Sequence, residues 1–272
     1  MKYLIVNADD FGLNSEINVG IIKGHQKGII SSTSLMCSAP AFEQAVTYAR
    51  ANPKLGIGIH LTLVGGVAPV LSSAKLTTLL DENGLFYRDY GAFLCKYLGK
   101  QIKKAEIKAE LAAQIEKALQ TGLTITHVDS HQHLHVFPGL TEIITDLCVA
   151  YDLRKVRLPA ENIFWRGACQ ASSLRWVARG GLTACASVAK RKFRQAGLAY
   201  PEHFFGMLAG GHLDENCLNA ILSNLPEGVS EIMTHPGLHE AVLRKTFAWG
   251  YDWESELTAM LSPRTIDKLY KN

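Results

Sequence analysis

The chain has 272 residues, 47% of them hydrophobic and 19% charged, with a formal net charge of +3 at pH 7. This length suffices for one sizeable α/β core, and the composition excludes a disordered, low-complexity or fibrous protein. No apolar run reaches the ~18 residues that a membrane-spanning helix requires, and so small a net charge gives no general attraction for nucleic acid. At the amino terminus, YLIVN (3–7) reads as a buried strand rather than a cleavable leader, and Ser15 to Lys27 has a helical period. SSTSLM (31–36) and GIGIHLTL (56–63) are the next strands, with a helix from Ala41 to Ala51 between them. A helix from about Ala105 to Thr121, the strand TITHV (124–128), a helix near Leu140 to Tyr151, and the strands KVRLP (155–159) and EIMTH (231–235) complete the pattern. Strands alternating with helices predict a parallel sheet, either open and doubly wound or closed into a barrel. Without an internal repeat or a Gly/Ser-rich linker, residues 1–272 are expected to form a single domain, looser near 64–104 and 160–212. Six cysteines without CxxC spacing read as reduced thiols, and the cytoplasm is the expected location.

Polar residues cluster at the carboxyl ends of these strands. Asp9 and Asp10 follow the first, His60 lies late in the third, His127 to His135 follow TITHV, Arg157 sits in KVRLP, and His235 ends the last. In parallel sheets and barrels those ends share one rim, where active sites form. Within "THVDSHQHLHVFP", four of the chain's ten histidines and Asp129 fall in nine residues. His127, Asp129, His131, His133 and His135 share parity, so a continuous extended chain would aim all five at one face. A catalytic zinc takes about three protein ligands plus water, so some of the five must orient ligands, line a substrate pocket or support the fold. Imidazole with carboxylate suits zinc, iron, nickel or manganese better than magnesium. Adjacent Asp9 and Asp10 require a cation or strong hydrogen bonds if buried, and one of them could accept a proton from water activated by a divalent ion. Arg157 could orient such a carboxylate, and His235 in "THPG" could protonate a departing amine. Taken singly, each residue has a plainer reading: a helix cap for the aspartates, a core histidine for His60, an ion pair for Arg157, loop packing for His235.

Between Ile163 and Tyr200 there are seven Arg or Lys and no Asp or Glu, together with Phe164, Trp165, Trp176 and Phe193. This composition suits either a solvated basic helix or a surface that meets anionic lipid.

The motifs NADDFG, GIHLTL, THVDSHQHLH followed by FP, VRLP and THPG, in that order from Lys2 to about Gly237, resemble the YdjC-like carbohydrate deacetylase family, itself similar to the polysaccharide deacetylases. The resemblance implies a distorted (β/α) barrel that hydrolyses the acetamide of N-acetylated sugars with one divalent metal ion, by family precedent magnesium. It implies Asp10, His60 and His131 as metal ligands, Asp9 as the water-activating base, Arg157 as the group that positions it and His235 as the general acid. His127, Asp129, His133 and His135 are then ligand-orienting or substrate-lining. SLMCSAPAFEQAV, DENGLFYRDYGAF and VRLPAENIFW look most similar to the hopanoid-biosynthesis-associated branch, where the implied substrate is an N-acetylglucosaminyl group on a polycyclic lipid. That would bring the enzyme peripherally to the inner membrane. Chitooligosaccharide deacetylation is the nearest alternative; a metal-dependent phosphoesterase and a non-catalytic carbohydrate-binding barrel are further ones. A homodimer is compatible with all of them.

Overall fold

The computed structural model describes residues 1–165, 169 and 173–271. Its strands are β1 (Lys2–Phe11), β2 (Ser32–Leu35), β3 (Gly56–Leu61), β4 (Ile125–Ser130), β5 (His203–Phe205) and β6 (Gly228–Thr234). The helices α1 (Ser15–Lys27), α2 (Phe42–Ala51), α3 (Tyr90–Leu98), α4 (Lys104–Gln120) and α5 (Leu140–Ala150) lie in the first half. The second half carries α6 (Ser173–Gln195), α7 (Glu215–Ser223), α8 (Glu240–Thr246), α9 (Trp253–Leu261) and α10 (Pro263–Lys271).

All strand pairs are parallel, in the order β4-β3-β2-β1-β6-β5. Parallel neighbours need long crossovers, and the helices between strands supply them. The curled sheet nearly closes on itself. Between its edges runs the segment from Lys155 to Glu161, which touches β4 through Val128↔Val156 and β5 through Glu161↔Phe204. KVRLP, expected as a strand, is therefore an irregular seam held by single bridges, and the barrel is distorted at that seam. Strand β1 is the spine: it pairs over seven residues with β6, from Lys2↔Gly228 to Ala8↔Thr234, and with β2 on its other side. Its inner half, from Val6 to Phe11, is buried, as a central strand covered on both faces requires.

Two close approaches fix the layers around the site. Gly20 on α1 lies against Gly237, where a Cβ would stand 2.6 Å from the Gly237 Cα, so α1 seats directly on the THPG turn after β6. Gly58 on β3 leaves room for the His127 ring, which a Cβ would meet at 2.3 Å.

No helix among the described residues is long and apolar enough to cross a membrane. One expectation about thiols is corrected: Cys169 and Cys217 form a disulfide with a Cα–Cα distance of 4.7 Å, tying the chain ahead of α6 to α7. They are 48 residues apart in sequence, so spacing gave no hint of the pair. Cys37, Cys95, Cys148 and Cys185 are free thiols, and Cys37 and Cys148 are buried.

Candidate active site

Strand β1 delivers both aspartates to one place by breaking its own alternation. Successive residues of a regular strand point to opposite faces. Asp10, however, has φ 67, and the β1–β2 register shifts between Ala8 and Phe11. This left-handed residue at a bulge turns the Asp10 carboxylate toward the rim instead of away from it. Both aspartates are 3% exposed.

Asp10 faces two imidazoles. Its Oδ1 is 2.9 Å from Nδ1 of His131 and 3.4 Å from Nε2 of His60. Burial alone would raise the Asp10 pKa, but the two histidines hold it well below the usual carboxylate range. His60 projects from β3 and is 1% exposed. Its other nitrogen, Nδ1, donates to Oδ1 of Asp129 at 2.8 Å, which leaves Nε2 aimed at Asp10. His131 begins a tight turn after β4; its Nε2 is buried without a hydrogen-bond partner, and its ring lies 5.5 Å from Trp249.

Asp9 faces a cation. Arg157 NH1 and NH2 clasp Oδ2 and Oδ1 of Asp9, both at 2.7 Å. The same NH1 lies 2.8 Å from Oδ2 of Asp129, and Nε donates to Oε1 of Glu231 at 2.7 Å. Asn7 Nδ2 donates to Asp9 Oδ1 and to Ser34 Oγ, and Ser34 Oγ donates to Asp129 Oδ2, each at 2.8 Å. One guanidinium thus serves three buried carboxylates. Burial opposes its charge, but Asp129, Asp9 and Glu231 together hold Arg157 well above its ordinary pKa. Asp129, raised by burial, is brought well below the carboxylate range by Arg157 and His60. Glu231 is the one that yields, pushed by burial up to about 7.

Among the described residues, two triads have ligand atoms within 4.8 Å of one another: Asp10, His60 and His131, and Asp9, His60 and Asp129. The first fits a divalent ion. Two ligand atoms ~2.1 Å from one ion stand roughly 3.0–3.4 Å apart at octahedral or tetrahedral angles, which the separations around Asp10 Oδ1 match. In the second, Asp9 and Asp129 are already taken up by Arg157, and Asp129 also accepts from His60. It is a hydrogen-bonded support for the first.

The five residues of like parity in THVDSHQHLH do not share a face. Strand β4 ends at Ser130, and Gln132 (φ 54) and His133 (φ 56) are both left-handed, so the chain coils after His131. His133 lies edge-on to Phe204, with ring centroids 5.8 Å apart, and its Nδ1 is unpartnered. His135 is a fold support: Nδ1 lies 2.7 Å from Ser130 Oγ, and Nε2 lies 3.1 Å from the Arg157 carbonyl. His127 sits one layer below Asp129, with Nε2 3.2 Å from Ser34 Oγ and Nδ1 2.9 Å from Thr126 Oγ1. It lines a cavity of about 390 Å³ among the amino-terminal ends of the strands, away from the rim. Burial holds both His127 and His135 down to about 4, and His133 well below its ordinary value.

His235 emerges beside Asp9, one position past the paired Ala8↔Thr234. Its backbone N–H and the Thr234 hydroxyl both donate to Oε2 of the fully buried Glu256. The ring stands 5.0 Å from Tyr251, and its Nδ1 is buried and unpartnered. Tyr251 belongs to a run of alternating aromatics, Phe247, Trp249, Tyr251 and Trp253, with successive ring centroids 4.8, 5.5 and 5.6 Å apart. This strap connects His131 to His235 and forms an aromatic wall beside the rim. Sequence reasoning missed the strap, although "FAWGYDW" shows it, and it missed Asn7, Ser34, Glu231 and Glu256, whose roles depend on partners far away in sequence.

Several known proteins are similar to this chain. A carbohydrate deacetylase of Thermoanaerobacter pseudethanolicus is 34% identical over 236 residues, covering 87% of this chain and 81% of that protein. One of Vibrio cholerae is 31% identical over 272 residues, covering 98% and 90%. The fold is shared with a crystal structure from Enterococcus faecalis described as a cellobiose-phosphate cleavage protein: TM-score 0.79, 24% identity, 99% of this chain and 94% of that one. The family model for YdjC-like protein matches residues 3–271, nearly the whole of the fold just described, and this chain therefore belongs to the YdjC-like protein family.

Proposed function

We propose that the protein is a metal-dependent carbohydrate N-deacetylase, cleaving the acetamide of an N-acetylglucosamine-containing substrate to acetate and a free amine. The observation that carries this reading is the convergence of Asp10, His60 and His131 beside an Asp9 clasped by Arg157. Asp10, His60 and His131 would hold one divalent ion; two nitrogens and one oxygen favour zinc or another transition metal over the magnesium of family precedent. When bound, such an ion supplies Lewis acidity toward an amide carbonyl and toward water. Asp9, oriented by Arg157, takes the proton of the attacking water, and His235 gives a proton to the departing amine nitrogen. The aromatic wall of Trp249 and Tyr251 and the unpartnered His133 suit a sugar ring that has apolar faces and polar edges.

The acceptor we propose is lipid-linked. Phe164 is 86% exposed and Val177 73%, and Arg191 and Arg194 are exposed on the carboxyl-terminal turns of α6. Lys192, by contrast, is paired with Glu142 at 2.8 Å, and Arg166 lies outside the described residues. Exposed apolar side chains at the start of α6 and exposed cations on its last turns, about 20 Å along the helix, suit a helix lying along the surface of an anionic membrane. Equal binding to anionic vesicles after neutralising Arg191, Lys192 and Arg194 would remove this part of the reading.

The reaction is tested by loading the purified chain with zinc, manganese or magnesium and offering N-acetylglucosamine oligomers or an N-acetylglucosaminyl lipid. Metal-dependent acetate release, lost in His131→Ala, is the expected result, with the lipid preferred over the oligomer. Phosphate release from sugar phosphates in place of acetate would favour a phosphoesterase, and ligand binding without turnover a carbohydrate-binding barrel.

A further inference from the structure

Glu231 has no place in the chemistry above, yet it is a buried acid two bonds of a network away from the proposed base. It stands on β6, 3% exposed, in register with Ile5 on β1. Its Oε1 accepts from Arg157 Nε at 2.7 Å, while the outer nitrogens of the same guanidinium clasp Asp9.

We propose that Glu231 is a positioning residue for the reaction: it pins the inner nitrogen of Arg157 so that the outer fork stays on Asp9. The inference rests on the deacetylase reading and adds to it the group that anchors the arginine.

The backbone explains why an anchor is needed. Arg157 comes from the irregular seam, where its own N–H donates to the Val128 carbonyl and its neighbour Val156 makes a single bridge to β4. A long side chain from such a segment has many rotamers to lose. Glu231 comes from a strand that pairs over seven residues with β1, the strand carrying Asp9. Linking Nε to β6 ties the arginine to the same rigid ladder as the base. Without that link, a buried N–H loses its acceptor, and the fork can rotate about its stem.

Charge points the same way. Arg157 faces Asp9 from β1, Asp129 from β4 and Glu231 from β6, with His127 in the layer below. Three carboxylates around one cation leave a surplus of negative charge, which a proton on Glu231 relieves. A neutral carboxyl still accepts from Nε through its carbonyl oxygen. Arg157, Glu231 and His127 all line the cavity at the amino-terminal pole, so that proton is exchanged on the side remote from the rim.

The experiment compares wild type, Glu231→Gln and Glu231→Leu, each metal-loaded, by acetate release against pH, divalent-ion affinity by calorimetry, and melting temperature. Glutamine keeps an acceptor for Nε, so kcat is expected within about 3-fold of wild type. Leucine removes the acceptor and should lower kcat about 10- to 100-fold, with KM and ion affinity little changed. A Glu231→Leu enzyme with wild-type kcat overturns the proposal. So does a Glu231→Gln enzyme whose kcat falls 10-fold or more although it keeps an acceptor for Nε, and that arm decides the matter if the leucine variant does not fold. Acetate release absent from wild type itself sinks the deacetylase reading; release from wild type with insensitive variants sinks this proposal alone.

Discussion

Asp9 and Asp10 are neighbours in sequence, and the backbone gives them different partners. Read along the chain, either could serve as ligand or base, because a small turn would exchange them. The left-handed φ of Asp10 ends that symmetry, sending one carboxylate to two imidazoles and the other to Arg157. Asp129 plays a third part at the same scale. By accepting from His60 Nδ1 it fixes the ring so that Nε2 would be the nitrogen to give up its proton and face a bound ion, as a carboxylate behind a metal-ligating histidine does. Asp129→Asn keeps the shape and removes the charge. Divalent-ion affinity measured by calorimetry should fall roughly 10- to 100-fold. An unchanged affinity would mean that His60 is oriented by its packing alone.

At the scale of elements, the layer beneath the rim depends on β3 and β4 fitting together at Gly58 and His127. A methyl at position 58 would overlap the His127 ring, so Gly58→Ala should destabilise the fold by about 1–3 kcal/mol. His127→Ala opens that space at the cost of the Ser34 and Thr126 contacts. The double variant should therefore recover part of the loss, with a coupling energy above ~0.5 kcal/mol in a denaturation cycle. Strict additivity would show that the two strands can separate without strain. This pairing also marks the limit of what periodicity reveals. The strands at 3–7, 56–63, 124–128 and 231–235 and the helices between them were legible because apolar runs and 3.6-residue repeats are local properties. The parity of His127 to His135 was legible too, but it misled after Ser130, where two left-handed residues coil the chain. KVRLP has the composition of a strand and lacks a regular partner on either side. Helix α6 was legible only as one of two readings of a basic segment, without bounds, because Gly180 and Gly181 interrupt its pattern, and β5 was missed because three residues are too few to show alternation. Of the site, the ligand candidates were visible as residue types at strand ends. The groups that orient them, Ser34, Asn7, Glu231 and Glu256, were not, since a single serine, asparagine or glutamate has meaning only through its contacts.

For the whole molecule, the buried polar interior makes stability depend on pH in a direction that can be worked out. His127 and His135 are neutral in the fold, with pKa values near 4, against an ordinary value of 6.5. Between those limits the unfolded chain binds protons that the folded chain refuses, so each histidine contributes stability above pH 6.5 that is lost as pH falls toward 4. For His135, 1% exposed, the loss is on the order of 3 kcal/mol. Glu231 acts in the opposite sense: with its pKa raised to about 7 from 4.5, it favours the fold most below pH 4.5 and loses that contribution as pH rises through 7. His127, His133 and His135 outweigh Glu231, with which the raised Glu110 and Glu161 act, and leave a net decline on acidification from pH 6.5; His60, held up to about 10 against burial by Asp129 and Asp10, is charged in both states there and adds no slope. Below the ordinary carboxylate value of 3.8 the depressed Asp10 and Asp129 add to it, because protonating them in the unfolded chain is easier than in the fold. Urea unfolding from pH 6.5 to 4 should thus give a free energy that falls with pH, and His135→Asn should make the slope shallower by about one proton. A slope identical to wild type would mean that His135 takes up its proton inside the fold, and that the hydrogen bonds to Ser130 and the Arg157 carbonyl do not hold its ring neutral.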